Sequence, residues 1–232
     1  MFFDQYFLFL VVPTMILSLI AQFKVKSTFS KYSKVFAKKG ITGQGSAALL
    51  LKSNSITDVK IESVSGSLTD HYDPSSKTVR LSQPVFNENS IAAIGVAAHE
   101  AGHAIQHATG YGPLVLRSTL VPVANIGSRF GPLLAMAGLF FFPAAEGGLS
   151  ILFHIGIFLF AGAVLFYLIT LPVEFDASAR AMTLLRENNV LTEEELRGVR
   201  KVLTAAAMTY VASALTAIMS LLRLILLARG RR

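Results

Sequence analysis

Two histidines and a glutamate at residues 99–103 form the pattern in this sequence that is best suited to metal chemistry. The segment reads His99-Glu100-Ala101-Gly102-His103. On a helix, residues four apart lie on one face, so both imidazoles can bind one ion while Glu100 points to the same side. Catalytic zinc commonly has three protein ligands and one position for water. The pattern therefore predicts a zinc site in which Glu100 is the general base toward the metal-bound water.

The alternative is a pair of solvated histidines on an exposed helix, and the neighbouring residues disfavour it. Small and apolar residues precede and follow the motif, namely Ala97, Ala98, Ala104 and Ile105. Burying two imidazoles and a carboxylate there without partners would be costly. The chain contains no cysteine, so any further metal ligand must be His, Asp or Glu.

The segment from Leu171 to Ser178 supplies the best candidate for a third ligand. It reads Leu-Pro-Val-Glu-Phe-Asp-Ala-Ser, and Pro172 predicts that a helix begins there. Glu174 would then lie in the first turn, where the helix dipole favours an ionised carboxylate. The alternative is that Glu174 and Asp176 are two acids at a helix N-terminus with no ligand role. Three other histidines are less suited, because His71 lies in a turn, His107 at a helix end and His154 in an apolar segment.

The motif must be positioned by a helix and by short strands before it. Residues 87–90, Asn-Glu-Asn-Ser, are good N-cap residues, and they predict a helix from Ile91 to about Thr109 that stops at Gly110. Residues 59–64 and 78–81 alternate as strands do, and the turn-rich residues 70–76 join them. We expect a mainly α fold with a small β element beside the metal helix.

The composition indicates a membrane protein. Of 232 residues, 53% are hydrophobic and only 15% are charged, whereas a soluble chain averages about 25% charged. This composition excludes a disordered chain, and the absence of cysteine excludes a disulfide framework. We attribute the net charge of +7 to basic residues that lie beside anionic lipid headgroups. The bilayer is therefore an expected partner and nucleic acid is not.

Apolar stretches divide the chain into five predicted segments. They are a transmembrane anchor at 5–22, a cytoplasmic-side region at 23–113 that carries the metal helix, two transmembrane helices within 114–171, a third-ligand helix region at 172–203, and a transmembrane or interfacial helix at 204–228. The first stretch has no basic n-region or small-residue cleavage site, which favours an anchor over a signal peptide.

Charge predicts the orientation of these segments. Six lysines lie between residues 24 and 39, the region 172–203 is also basic, and the link 143–148 carries only Glu146. The positive-inside rule places both polar regions in the cytoplasm. Four full spans would then leave Arg229, Arg231 and Arg232 outside, against the rule. Either the last helix does not cross fully, or the first span dominates the orientation.

Several segments resemble a family of bacterial membrane zinc metallopeptidases. They are residues 70–74, Asp-His-Tyr-Asp-Pro, residues 77–82, Lys-Thr-Val-Arg-Leu-Ser, and residues 95–106, which contain the two-histidine motif. The anchor, the length and the later apolar segments match as well, so the resemblance covers most of the chain. It implies a multi-pass protein of the bacterial cytoplasmic membrane that holds zinc and acts on a peptide or protein substrate, including membrane proteins.

More distantly, the chain is similar to gluzincin membrane proteases. In those proteins a downstream Glu-x-x-x-Asp supplies the third zinc ligand through its Glu, and the Asp orients a ligand histidine. The resemblance implies Glu174 as ligand, but Ser178 occupies the Asp position and Asp176 does not share that helical face. Ser178 and Asp176 are therefore both candidates for partners of the ligands.

The resemblance also implies that a strand before the metal helix pairs with the substrate main chain. Residues 78–82 are the candidate strand. His71, Tyr72 and Arg80 are candidates for hydrogen bonds to the oxyanion of the intermediate, and turn or edge-strand roles would account for them equally.

The expected function is that of a membrane-embedded zinc metallopeptidase, a gluzincin-like endopeptidase. The alternative is a non-catalytic membrane scaffold or regulator stabilised by zinc. Glu100 distinguishes them, because a structural site needs no carboxylate between its histidines. Transport through an intramembrane metal site is disfavoured, since the motif follows a polar stretch.

Overall fold

The computed structural model describes residues 4–141 and 149–230. The link 143–148 with Glu146, and Arg231 and Arg232, lie outside the described residues. A π-helical segment, Phe7–Val11, leads into the first helix. The helices are α1 (Val12–Tyr32), α2 (Gly43–Ser53), α3 (Gln83–Phe86), α4 (Ile91–Ala108), α5 (Gly112–Phe140), α6 (Ile151–Glu187) and α7 (Glu193–Arg229), and the strands are β1 (Lys60–Val64), β2 (His71–Asp73) and β3 (Thr78–Ser82).

The predicted mainly α fold with a small β element is confirmed. Among residues 4–141 and 149–230, four helical stretches are long and apolar enough to cross a membrane, judged by length and composition. They are Phe7–Tyr32, Gly112–Phe140, Ile151–Glu187 and Glu193–Arg229. Each overlaps one of the apolar stretches identified in the sequence.

The chain divides into two compact units. The apolar unit comprises Met1–Ala21, Leu116–Leu171 and Thr209–Arg232. The site unit comprises Gln22–Val115 and Pro172–Met208. The site unit contains the sheet and both segments that the sequence analysis assigns to the metal site.

In the apolar unit, glycines allow close contact between α5 and α6. A Cβ on Gly127 would lie 2.1 Å from the Leu159 carbonyl oxygen, and one on Gly156 would lie 2.3 Å from the Ala135 nitrogen. Small residues at such contacts are typical of helix packing in membranes. The charge within the last apolar stretch is paired, since Arg223 Nη2 lies 2.6 Å from Asp4 Oδ2.

In the site unit, the three strands form a sheet in the order β1-β3-β2. β3 pairs in parallel with β1 along its whole length and antiparallel with β2, so that His71 faces Arg80. The turn-rich residues 70–76 therefore contain a strand that the sequence did not predict. β3 is the central strand, since β1 pairs with its whole length and β2 with Thr78–Arg80, so the expectation that it pairs with a substrate stays a prediction for the residues beyond Arg80.

The predicted helix at the motif is confirmed as α4. Its N-cap is Ser90, whose side chain accepts a hydrogen bond from the Ala93 amide at 3.2 Å. The chain leaves the helix at Gly110, which has a φ of +64°. α4 lies in the main core cluster, and most of its residues are buried, so it is a central rather than a surface helix.

The prediction that a helix begins at Pro172 is wrong. Pro172 lies inside α6, which continues without interruption from Ile151 to Glu187. A proline removes one main-chain hydrogen bond, and long apolar helices tolerate that loss. Glu174 is therefore far from a helix N-terminus, and the helix dipole does not explain a carboxylate at this position.

Gly102 sets the distance between α4 and α6. A Cβ on Gly102 would lie 2.7 Å from the carbonyl oxygen of Ala177, a contact that real Cβ atoms do not make. Gly102 lies between the two histidines of α4, and Ala177 lies between Glu174 and Ser178 of α6. The absent side chain at Gly102 thus allows the two functional segments to meet.

We predict that Gly102→Ala destabilises the protein by about 1–3 kcal/mol, because the methyl group forces the two backbones apart. Thermal unfolding in detergent measures the change. Gly112→Ala is the control, since nothing lies within 4 Å of a Cβ there and its φ is not positive. Equal unfolding temperatures for the two variants would contradict the role given to the α4–α6 contact.

Candidate metal centre

Three side chains from α4 and α6 converge on one point. One ligand atom from each of His99, His103 and Glu174 lies within 4.8 Å of the other two. Glu174 Oε2 lies 3.2 Å from His99 Nε2 and 3.6 Å from His103 Nε2. The Glu174 side chain is only 3% exposed, so a carboxylate is held against two imidazoles in the interior.

Both imidazole rings are oriented by hydrogen bonds at the opposite nitrogen. His99 Nδ1 lies 3.1 Å from Ser178 Oγ, and His103 Nδ1 lies 3.0 Å from Gln106 Oε1. Each Nε2 is therefore left facing Glu174. Metal-binding histidines are commonly fixed in this way by a partner at the second nitrogen. Ser178 thus makes the contact for which the resemblance would use an aspartate.

Gln106 links His103 to α6. Its Nε2 donates to the Val173 carbonyl and to Asp176 Oδ1, both at 2.8 Å. Asp176 also accepts a hydrogen bond from Arg180. The structure therefore brings Asp176 to the site through Gln106, although Asp176 does not share the face of Glu174. The sequence analysis missed Gln106, and the available signal was its position three residues after His103 on the same helix.

This donor set fits a zinc ion. In a tetrahedral site with bonds of about 2.0–2.1 Å, neighbouring ligand atoms are about 3.3 Å apart. The two separations from Glu174 Oε2, 3.2 and 3.6 Å, are close to that value.

The protonation of His103 reflects its neighbours. Burial alone would lower the pKa of His103, but its hydrogen bond with Glu174 and the charges of Glu100 and Glu174 raise that pKa above its ordinary value. A proton therefore competes with a metal ion for this ring, and binding of a metal would release it.

Glu100 differs from Glu174 in having no hydrogen-bond partner among the residues that the structure describes. The residue is 8% exposed, and within the described residues its carboxylate makes no hydrogen bond. In the described part of the chain, every side-chain oxygen or nitrogen that is fully enclosed has a hydrogen-bond partner. Because the Glu100 oxygens have none, they are not fully enclosed, and solvent reaches them. The site thus has a nearly buried carboxylate that is free to bind water beside the two imidazoles.

His71 and Arg80 are not part of this cluster. His71 is exposed, and its Nδ1 lies 2.9 Å from the Thr69 carbonyl oxygen. Arg80 Nη1 donates to Asp73 Oδ2 at 2.8 Å. This ion pair gives the Arg80 guanidinium a partner inside the sheet. Both residues therefore make their contacts within the sheet and the turn beside it.

Tyr72 and His107 form a separate contact between β2 and α4. The Tyr72 hydroxyl lies 2.7 Å from His107 Nδ1. Burial, with smaller effects from Asp58 and Asp73, raises the pKa of Tyr72 to about 12. The hydroxyl therefore stays protonated at neutral pH. His107 is engaged by β2 and does not belong to the metal cluster.

Comparisons with known proteins agree with this geometry. A family model described as "Putative neutral zinc metallopeptidase" matches residues 7–229. The chain is 49% identical over 221 residues to the Bacillus subtilis (strain 168) protein named "Putative membrane protease YugP", and the alignment covers 95% of this chain and 96% of that protein. No solved structure matches significantly. Together with the four apolar helices, the match to a membrane protease indicates a membrane protein. The chain belongs to the family described as "Putative neutral zinc metallopeptidase".

Proposed function

We propose that this protein is a zinc-dependent membrane endopeptidase of the gluzincin type. His99, His103 and Glu174 would hold the zinc, and Glu100 would be the general base. The observation that carries the proposal is the combination of three converging ligands with a nearly buried carboxylate, Glu100, that has no hydrogen-bond partner within the described residues and lies next to His99 in the chain. Zinc, when bound, would polarise the scissile carbonyl and acidify a water molecule.

The residues of the chain then have distinct roles in hydrolysis. Glu100 would accept a proton from the attacking water and donate it to the nitrogen of the leaving amine. Ser178 and Gln106 would hold the imidazole rings in place throughout. The non-catalytic scaffold is the competing function, and the unpaired Glu100 argues against it, because a purely structural site would gain nothing from a buried free carboxylate.

A substrate would pair with an outer strand of the sheet. β1 and β2 are the two outer strands, and Tyr72 of β2 contacts α4 directly. We therefore propose β2, with His71 at its exposed edge, as the segment that aligns a peptide or protein substrate by main-chain hydrogen bonds. Arg80 would support β2 through Asp73.

We propose that the metal centre faces the cytoplasm of a bacterium, at the inner membrane. His103 and Glu174 must lie on the same side, which requires an even number of crossings between them. The two apolar helices in that interval, Gly112–Phe140 and the first part of Ile151–Glu187, provide two. The lysines at 24–39 then favour the cytoplasmic side.

We predict that the purified protein binds about one zinc per chain and that the His99→Ala, His103→Ala double variant binds none, because two of three ligands are lost. Elemental analysis after gel filtration measures the stoichiometry. His71→Ala is the matched control and should keep its zinc, since His71 bonds only within the sheet region. Stoichiometric zinc in the double variant would place the site elsewhere.

Glu100→Gln is expected to retain zinc and to lower the rate of casein cleavage by about 10²–10⁴-fold, since only the base is removed. The cleavage rate is measured with labelled casein, and the zinc content is determined on the same sample. The control is Glu88→Gln, at an exposed glutamate three residues before α4 begins, and it should cleave at the unchanged rate. Full activity in zinc-loaded Glu100→Gln would rule out the mechanism, and zinc binding without any wild-type cleavage would favour the scaffold.

Orientation can be measured with single cysteines, because the chain has none of its own. Cysteines at Ser53 and Gly147 should react differently with an impermeant thiol reagent on intact cells. We expect labelling at 147 and protection at 53. The opposite pattern would reverse the assigned orientation, and labelling at both positions would contradict two crossings.

A further inference from the structure

A concave surface in the site unit has no metal ligand among its lining residues. It is a groove of about 590 Å³ between the end of α1 and the first turns of α7. Its lining residues are Lys24, Thr28, Lys31, Tyr32, Arg200, Lys201, Thr204, Ala205 and Met208. None of them contributes to the cluster formed by His99, His103 and Glu174, so the proposed peptidase does not account for this groove.

The groove is strongly cationic. Four of its lining residues are basic and none is acidic. Within the described residues, none of the four cations forms an ion pair. The charge of Arg200 acts on Glu193, but the Glu193 carboxylate is already bound by Arg186 at 2.6 and 3.0 Å. The hydroxyls of Thr28, Tyr32 and Thr204 add hydrogen-bond donors. Such a set of donors and cations suits a phosphate group.

The groove also lies where both helices change from uncharged to charged sequence. Residues 7–23 contain no charged side chain, and Lys24 is the first after them. In α7, residues 202–222 contain none, and Lys201 is the last before them. At such a boundary a spanning helix meets the phosphates of the lipid headgroups.

Apolar side chains accompany the cations at this boundary. Phe23, next to Lys24, is 73% exposed, and Met208, inside the groove, is 42% exposed. A soluble anion would bind the cations but would leave these side chains in water. A lipid has both a phosphate and apolar chains, and would contact both kinds of residue.

We propose that this groove binds the phosphate headgroup of an anionic phospholipid from the surrounding membrane. Lys24, Lys31, Arg200 and Lys201 contact the phosphate, and the acyl chains contact Phe23 and Met208. The bound lipid ties the end of the first apolar helix to the start of the last one.

The test uses the full chain in non-ionic detergent, titrated with dioleoylphosphatidylglycerol and followed by native mass spectrometry. Lys31→Gln, Lys201→Gln removes two groove cations. Lys26→Gln, Lys34→Gln removes two exposed lysines of the same region that do not line the groove. Each groove cation contributes about a fivefold gain in affinity, so the apparent Kd should rise about 25-fold in the groove variant. It should stay within about twofold in the control variant.

Two further arms identify the ligand and exclude misfolding. Dioleoylphosphatidylcholine, and inorganic phosphate at the same concentration, should bind far more weakly than the anionic lipid. The charge-conserving Lys31→Arg, Lys201→Arg variant should bind as the wild type does, and all variants should unfold at similar temperatures without lipid. Equal losses in the groove and control variants would overturn the proposal as unspecific charge attraction. Phosphate binding as tight as that of the lipid would overturn it in favour of a soluble phosphoester site.

Discussion

The contact of α4 with α6 at Gly102 is the constraint on which the candidate metal centre depends. Each helix presents two polar side chains four residues apart, His99 and His103 on α4, and Glu174 and Ser178 on α6. Between each pair lies a small residue, and the absence of a Cβ at Gly102 lets α4 approach the Ala177 carbonyl. Ligand separations of 3.2 and 3.6 Å follow from that approach. A side chain at the crossing would push the two helices, and with them the ligands, apart.

Hydrogen bonds at the Nδ1 atoms of the two histidines hold the rings in the positions that the α4–α6 contact gives them. Ser178 orients His99, and Gln106 orients His103 while it also binds the α6 backbone and Asp176. The ligands are therefore oriented by partners on both helices rather than by metal alone. Glu100 is outside this network. This difference separates the residues that position a metal from the one residue available for proton transfer.

The motif on α4 could be predicted from the sequence because helix periodicity and capping are local properties. Glu174 was identified correctly as the residue that meets the histidines, but the reason given was wrong. Pro172 is a local signal for a helix start, whereas α6 is a single helix held by contacts far along the chain. The imidazoles that face Glu174, rather than a helix N-terminus, favour its carboxylate form.

Other features depended on contacts that sequence patterns do not encode. The central position of β3 arises from pairing with β1 and β2, and the short β2 lies among turn residues. Gln106 shares a helix with His103, but its hydrogen bond to Asp176 joins residues seventy positions apart, and no local pattern predicts that contact. The cationic groove likewise joins residues 24–32 to residues 200–208, and the sequence showed only two separate basic stretches.

Zinc-edge X-ray absorption spectroscopy of the purified wild-type protein, beside Glu174→Ala, tests the central claim most directly. The account predicts scattering from two imidazoles together with oxygen ligands, at about 2.0–2.1 Å, in the wild type. In Glu174→Ala the two imidazoles should remain while the oxygen scattering changes or the zinc is lost. A wild-type spectrum with one imidazole or with three, or one that Glu174→Ala leaves unchanged, would contradict the assignment of His99, His103 and Glu174 as the ligands.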